Sequence, residues 1–307
     1  MEYLSGRYSD INHTHSNYMD NIQYTQLLLT AILAARRAGE ATLDVYNSDF
    51  AVEHKDDKSP LTLADKRSHE IIMNDLRRST HNNPTLPILS EEGRDIPYDE
   101  RKGWEYFWLV DPLDGTKEFI KRNGEFTVNI ALMHANKPVL GVIYVPVTDT
   151  FYFAAVSIGA YKLTNTEIVT DNMSVDELLN KSQKLPISAN NKKAPLTIIG
   201  SRSHGTKEFS EFVECMKEKH GEVEIISAGS SLKFCLVAEG IADVYPRLGP
   251  TMEWDTAAGQ AIVEQAEGSV IDIQTKKPLR YNKPNLLNPF FIVTRQNSRF
   301  ENQWMPA

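Results

Sequence analysis

Apolar residues recur at helical spacing in some stretches of the chain and gather into short β-branched or aromatic runs in others. From Ile22 to Tyr46 the spacing predicts a helix, with Leu28, Leu29, Ile32 and Ala35 on one face and Arg36, Arg37 and Glu40 on the other. The charged segment EHKDDK reads as a mobile solvated loop, able to close over a site near Asp65. A second helix follows, with Asp65 near its start and Ile71, Ile72 and Leu76 as its apolar stripe. PILS predicts a short strand that ends at Glu91 and Glu92. Tyr106 to Val110 predicts a buried strand, and Lys117 to Lys121 a brief helix stopped by Asn123-Gly124. FTVNIALMH, PVLGVIYVP and TFYFAAV then read as an antiparallel meander.

Between about Thr164 and Lys193 the chain turns polar and loses periodicity, which suggests an inter-domain crossing. Beyond it, PLTIIGSRSH, FSEFVECMKEK, VEIIS, SAGSSLKFCLVAEG, ADVYPR and MEWDTAAGQAIVEQAEG alternate between strand and helix, the pattern of an α/β unit. At 307 residues the chain exceeds the usual size of a single core. We therefore expect a loose N-terminal extension over 1–20, an α+β lobe over 21–185 and an α/β lobe over 186–307.

Composition narrows the class. Hydrophobic residues make up 41% and charged residues 24%, as in a globular enzyme, and a net charge of −8 argues against nucleic acid as a partner. Two cysteines, Cys215 and Cys235, supply neither a disulfide framework nor a zinc cage, so a reducing, cytoplasmic setting is expected. No run approaches the roughly 18 apolar residues of a membrane span. Peripheral association with the inner face of a bacterial membrane stays open, as does the choice between monomer and homodimer.

Acids fall at the ends of these elements: Glu91 after PILS, Asp111 and Asp114 in WLVDPLDGTKEF, and Asp255 in EWDTAAG. Singly, Asp114-Gly115 is an ordinary turn and Asp255 an ordinary helix cap. Together they would repel by roughly 4 kcal/mol per pair at about 4 Å and an effective dielectric near 20, so a cation among them is the natural remedy. Oxygen ligands without nearby His or Cys suit Mg²⁺, with Mn²⁺ as a substitute, rather than zinc. Gly115 and Thr116 open a short helix where an anion is favoured, and Pro112 can turn the Leu113 carbonyl inward. Metal ligands beside an anion cradle are what metal-assisted phosphoryl hydrolysis requires. A structural Ca²⁺ or Mg²⁺ site in a non-enzymatic binding protein is the competing reading.

The motifs SEEG (Ser90 to Gly93), DPLDGTKEF (Asp111 to Phe119) and WDTAAG (Trp254 to Gly259) resemble the lithium-sensitive, magnesium-dependent phosphatases of the inositol monophosphatase superfamily, from about Ile22 to Val293. Lys117 and Glu118 after Gly-Thr favour its branch of bacterial 3′(2′),5′-bisphosphate nucleotidases over the inositol or sugar phosphatases. The resemblance implies a layered α/β/α/β/α sandwich of two lobes. It implies hydrolysis of the 3′-phosphate of adenosine 3′,5′-bisphosphate, with the 5′-phosphosulfate form as a further substrate, and a link to sulfur metabolism. It assigns two or three ions to Glu91, Asp111, the Leu113 carbonyl, Asp114 and Asp255, and water activation to Asp65 with Thr116. For the substrate it implies Gly115, Thr116, His204, Ser230, Lys233 and Arg247; the last three keep the spacing of a Ser-Lys-Arg set in eukaryotic relatives. Arg202 ranks below these, and surface solvation is the ordinary fate of any such cation. Glu267 departs from the family, standing where Gly or Ala is usual.

Overall fold

The helical face written into the N-terminal stretch forms α1, Asn21–Tyr46, with Leu28, Ala31, Ile32, Ala35 and Ala38 buried. This computed structural model describes residues 19, 21–54, 60–78, 85–166, 169–187, 195–202 and 206–295. The N-terminal extension apart from Met19, the centre of EHKDDK, and His204 lie outside the described residues. The flanks of EHKDDK pair as β1 (Val52–His54) and β2 (Pro60–Thr62), and β2 runs directly into α2, Leu63–Arg78.

The chain continues through β3 (Ile88–Ser90), α3 (Tyr98–Arg101), β4 (Tyr106–Asp114), α4 (Thr116–Ile120), β5 (Thr127–His134), β6 (Lys137–Val145) and β7 (Thr150–Ala155). Next come β8 (Gly159–Thr164), α5 (Val175–Asn180) and β9 (Gln183–Lys184). Strands β3 to β9 lie side by side in chain order, β3 parallel to β4 and each later pair antiparallel. The second sheet is built from β10 (Leu196–Ser201), α6 (Lys207–His220), β11 (Val223–Ala228), α7 (Leu232–Glu239), β12 (Val244–Arg247), α8 (Glu253–Gln265), β13 (Ser269–Asp272) and β14 (Phe291–Thr294). Its strand order is β11-β10-β12-β14-β13.

The strand period of two sorts the core into layers. Trp108, Val110, Val128, Ile130 and Val142 face α1 and α2. Their neighbours Phe107, Leu109, Ala131 and Ile143 face the opposite way, into a core shared with α7, α8 and the inner face of the second sheet. The outer face of that sheet packs Ile198, Val244 and Ile292 against Val213 and Met216 of α6. Reading across gives helices, sheet, helices, sheet, helix, an α+β layered arrangement.

Two differences from the sequence reading have physical causes. The stretch from Thr164 to Lys193 is more than a crossing, because α5 and β9 form within it and β9 returns to pair with β8. Six residues are too few to show periodicity, although a Ser174–Glu177 capping box marks the start of α5. Strand β4 runs on to Asp114, since Asp111 pairs with Asn129 and Asp114 with Thr127 across a bulge. Glu267 sits at φ 65° just past α8, a left-handed position that glycine adopts without strain. Among the described residues, no helix is long and apolar enough to cross a membrane.

Candidate active site

Register builds the acidic cluster. Because β3 runs parallel to β4 with Ser90 opposite Val110, the residue just past β3 falls beside Asp111, and the Glu91 N–H donates to the Val110 carbonyl at 3.1 Å. Asp111 Oδ1 accepts the Leu113 N–H at 3.0 Å, closing a tight loop around Pro112. Ser68 of α2 fastens that loop by donating to the Pro112 carbonyl at 2.6 Å. The third acid arrives at the first turn of α8, where Asp255 Oδ2 accepts the Met252 N–H at 2.9 Å. Two residues earlier, Glu253 is fully buried and accepts from Asn282 N at 2.6 Å and from Lys283 N and Nζ at 3.0 and 2.5 Å. That anchor fixes where α8 begins.

One ligand oxygen from each of Glu91, Asp111 and Asp255 lies within 4.8 Å of the others. Burial drives the Asp111 carboxyl well above the ordinary carboxylate range, and Glu91, Asp114 and Asp255 push it further. Asp255 is raised for the same reasons, burial first and then Asp114 and Glu91. Asp114 is raised by burial, against the opposing pull of Ser231, Lys233 and Asn129. A buried, all-oxygen donor set whose charges disfavour one another fits a hard divalent cation. Asp114 lines the same cleft as the triad, with its Oδ2 turned to Ser231 Oγ at 2.5 Å and Asn129 Nδ2 at 3.4 Å.

Beside the acids, buried Asp65 accepts the Thr62 N–H at 2.8 Å and the Thr62 hydroxyl at 2.6 Å on Oδ2. Its Oδ1 faces the Thr116 hydroxyl at 3.3 Å. Burial raises the Asp65 carboxyl, and the Thr62 bonds partly restrain that rise. Gly115, at φ 90°, turns the chain from β4 into α4; a Cβ there would fall 3.1 Å from Ser230 Cβ.

These groups open on a cleft of about 510 Å³ that Gly115, Thr116, Ser230, Lys233 and Arg247 also line. Ser230 holds φ 41°, and its buried Oγ has no hydrogen-bond partner among the described residues. Arg247 donates through Nη2 to the Pro250 carbonyl at 2.6 Å, while its Nε is buried without a partner among the described residues. Lys233 is buried, donating to the Ser230 carbonyl at 2.5 Å and lying 5.5 Å from the Tyr245 ring centroid. Burial lowers its pKa to about 8. Arg202 is absent from the cleft lining, held in a forked pair with Glu125 at 2.8 and 2.7 Å. Reading the sequence overlooked Asn129 and Ser231; an asparagine inside the apolar run FTVNIAL was the available signal.

Known proteins agree with this architecture. Residues 23–299 match the inositol monophosphatase family. The 3'(2'),5'-bisphosphate nucleotidase CysQ of Escherichia coli (strain K12) is 47% identical over 264 residues, 85% of this chain and 96% of that protein. The protein of the same name from Salmonella typhimurium is 46% identical over 263 residues, with the same coverage of 85% and 96%. The crystal structure of CysQ from Bacteroides thetaiotaomicron, described as a bacterial member of the inositol monophosphatase family, superposes with a TM-score of 0.80 at 48% identity, covering 90% of this chain and 100% of that one. With the layered fold and the acidic cluster in place, the chain belongs to the inositol monophosphatase family.

Proposed function

We propose that this chain is a metal-dependent 3′(2′),5′-bisphosphate nucleotidase that removes the 3′-phosphate of adenosine 3′,5′-bisphosphate, giving AMP and phosphate, with the 5′-phosphosulfate analogue as a second substrate. The observation that carries the reading is the approach of Glu91, Asp111 and Asp255 to within 4.8 Å at a cleft that also holds Lys233 and Arg247. Relatives named for this activity cover 85% of the chain. Mg²⁺ is the proposed ion, with two sites formed by Glu91, Asp111, the Leu113 carbonyl, Asp114 and Asp255, and a weaker third near Glu91 and Asp65. When bound, such ions supply Lewis acidity to the phosphate and neutralise the departing alkoxide.

The chain's own residues do the rest. The Thr116 hydroxyl donates to Asp65 Oδ1, which leaves its oxygen lone pairs to accept a proton from the attacking water. As the water oxygen bonds to phosphorus, the proton passes through Thr116 to Asp65, whose raised affinity for protons suits that task. The bond from phosphorus to the ribose 3′ oxygen breaks on the opposite side. Ser230, Lys233 and Arg247 face the substrate, and the second phosphate meets the two cations. In the same reading residues 21–185 and 186–307 act as two lobes around the cleft, and the protein works in the cytoplasm on small nucleotides.

Phosphate release from adenosine 3′,5′-bisphosphate, its 5′-phosphosulfate form, inositol phosphate and a sugar phosphate at matched concentrations tests the proposal, with Mg²⁺ or Mn²⁺ and with or without Li⁺. Preference for the nucleotides and loss of activity in Li⁺ are expected. Equal or better turnover of inositol phosphate would overturn it.

A further inference from the structure

Ser231, which lines the cleft, and Asn129 meet Asp114 from two different parts of the fold. Ser231 immediately precedes α7 and is 2% exposed; Asn129 is the third residue of β5 and is 1% exposed. Ser231 Oγ lies 2.5 Å from Asp114 Oδ2, 2.7 Å from the Asp255 carbonyl and 2.8 Å from Asn129 Nδ2. Asn129 Nδ2 is 3.4 Å from Asp114 Oδ2, and Asn129 Oδ1 is 3.0 Å from the Thr127 hydroxyl.

Counting protons fixes the direction of each bond. The Thr127 hydroxyl donates to Asn129 Oδ1, so the amide NH₂ points at Ser231 and Asp114; the reverse orientation would set an amide oxygen against a carboxylate. One amide N–H then fills a lone pair of Ser231 Oγ. The single serine proton has two acceptors within reach, and the charged, closer Asp114 Oδ2 is the stronger. Every bond in the chain Thr127–Asn129–Ser231–Asp114 therefore runs toward Asp114. The same hydroxyl also touches the backbone of Asp255, so one side chain spans β4, β5, α7 and α8.

We propose that Ser231 and Asn129 are positioning residues that hold Asp114 by Oδ2 and so present its other oxygen to a divalent cation. Outer partners of this kind tune metal affinity through the orientation of the ligand. The inference rests on the reading of Asp114 as a cation ligand and goes beyond it by naming what aims it. Asn129 acts chiefly through Ser231, at 2.8 Å against 3.4 Å to Asp114 itself, so the two form one device.

The test is Mn²⁺ binding to the metal-free protein by titration calorimetry, with Asp114→Asn, Ser231→Ala, Asn129→Leu and the double variant Ser231→Ala/Asn129→Leu. Thermal unfolding in EDTA checks that each folds; if Asn129→Leu does not, Asn129→Ser takes its place. We expect Asp114→Asn to abolish one class of Mn²⁺ sites and Ser231→Ala to weaken that class by about 10–100-fold, leaving the other class unchanged. The double variant should bind no more weakly than Ser231→Ala alone. If Asp114→Asn weakens binding while Ser231→Ala stays within twofold of wild type, the positioning role is wrong. If Asp114→Asn binds Mn²⁺ as wild type does, the ligand reading of Asp114 fails, and this inference falls with it.

Discussion

Thr116 Oγ1 lies 3.3 Å from Asp65 Oδ1, although α4 and α2 bring these residues from 51 positions apart. With Asp65 Oδ2 already occupied by Thr62, Oδ1 is the oxygen left for proton transfer. Thr116→Ala should lower kcat by roughly 10²–10⁴-fold and change KM only severalfold, because in the proposed mechanism the hydroxyl acts on the water more than on the bound substrate. Asp65→Asn should fall in the same range, and the double variant should be little worse than either. Steady-state kinetics at saturating Mg²⁺ checks this; a pure KM effect would contradict the assignment.

Lys233 gives a pH signature. Its folded pKa of about 8 lies below the ordinary lysine value, because burial disfavours the cation. Below pH 8 the side chain is charged and, in the proposed reading, attracts phosphate; above it the charge is lost. The kcat/KM for a bisphosphate nucleotide should therefore fall as pH rises through about 8. Lys233→Arg, which stays charged, should lose that decline, and Lys233→Met should give a low, flat profile. Stability follows the sign of a depressed value: this group's contribution is present above the unfolded lysine pKa and is lost as pH falls through about 8.

The acidic cluster makes the metal-free protein pay for its own site. Asp111, Asp114 and Asp255 all have folded values raised by burial. Their contribution is fully present below the ordinary carboxylate range near 4 and declines as pH rises through the raised values. In EDTA the unfolding temperature should consequently fall between acid and neutral pH. Mg²⁺ at about 100 times its Kd should return about 2.7 kcal/mol. Asp255→Asn keeps an oxygen for the Met252 N–H while removing a charge. In EDTA at pH 8 it should unfold at a higher temperature than wild type, and it should gain less from Mg²⁺. Calorimetric scans across pH, with and without metal, report both effects.

How much of this was legible beforehand depends on the range of the signal. α1, α2 and the strands of the meander repeat their apolar residues often enough to be read directly, and Glu91, Asp111 and Asp114 follow from where strands end. Asp255 is more than 130 positions from Asp114, and nothing local pairs them; motif resemblance supplied the link that register and α8 packing provide physically. Resemblance pointed to Lys233 as a substrate contact, but its burial was not legible, because its charge says nothing about the Tyr245 ring and the Ser230 carbonyl that enclose it. Strands β13 and β14 went unread because four residues each carry too little pattern. Ser231 was hidden by its neighbour: two adjacent serines differ only in which way the start of α7 turns them.

Away from the cleft, one charged pair is nearly enclosed between the layers. Glu239, at the last turn of α7, has a side chain only 5% exposed and receives Lys162 Nζ of β8 at 2.9 and 3.0 Å. It also accepts a short hydrogen bond from the Tyr152 hydroxyl of β7. Removing the cation leaves a carboxylate with a single donor in a low-dielectric setting, the circumstance in which breaking a pair is expensive. Lys162→Met should therefore destabilise the protein by about 3 kcal/mol. Lys162→Met/Glu239→Gln should recover most of that loss, since glutamine still accepts from Tyr152 and carries no charge. Urea unfolding in EDTA, which removes the metal contribution, measures both variants on the same footing. If the single variant were as stable as wild type, water would have to reach Glu239 more freely than its burial allows; if the double variant stayed as weak as the single one, the loss would lie in packing of the lysine stem, not in the stranded charge.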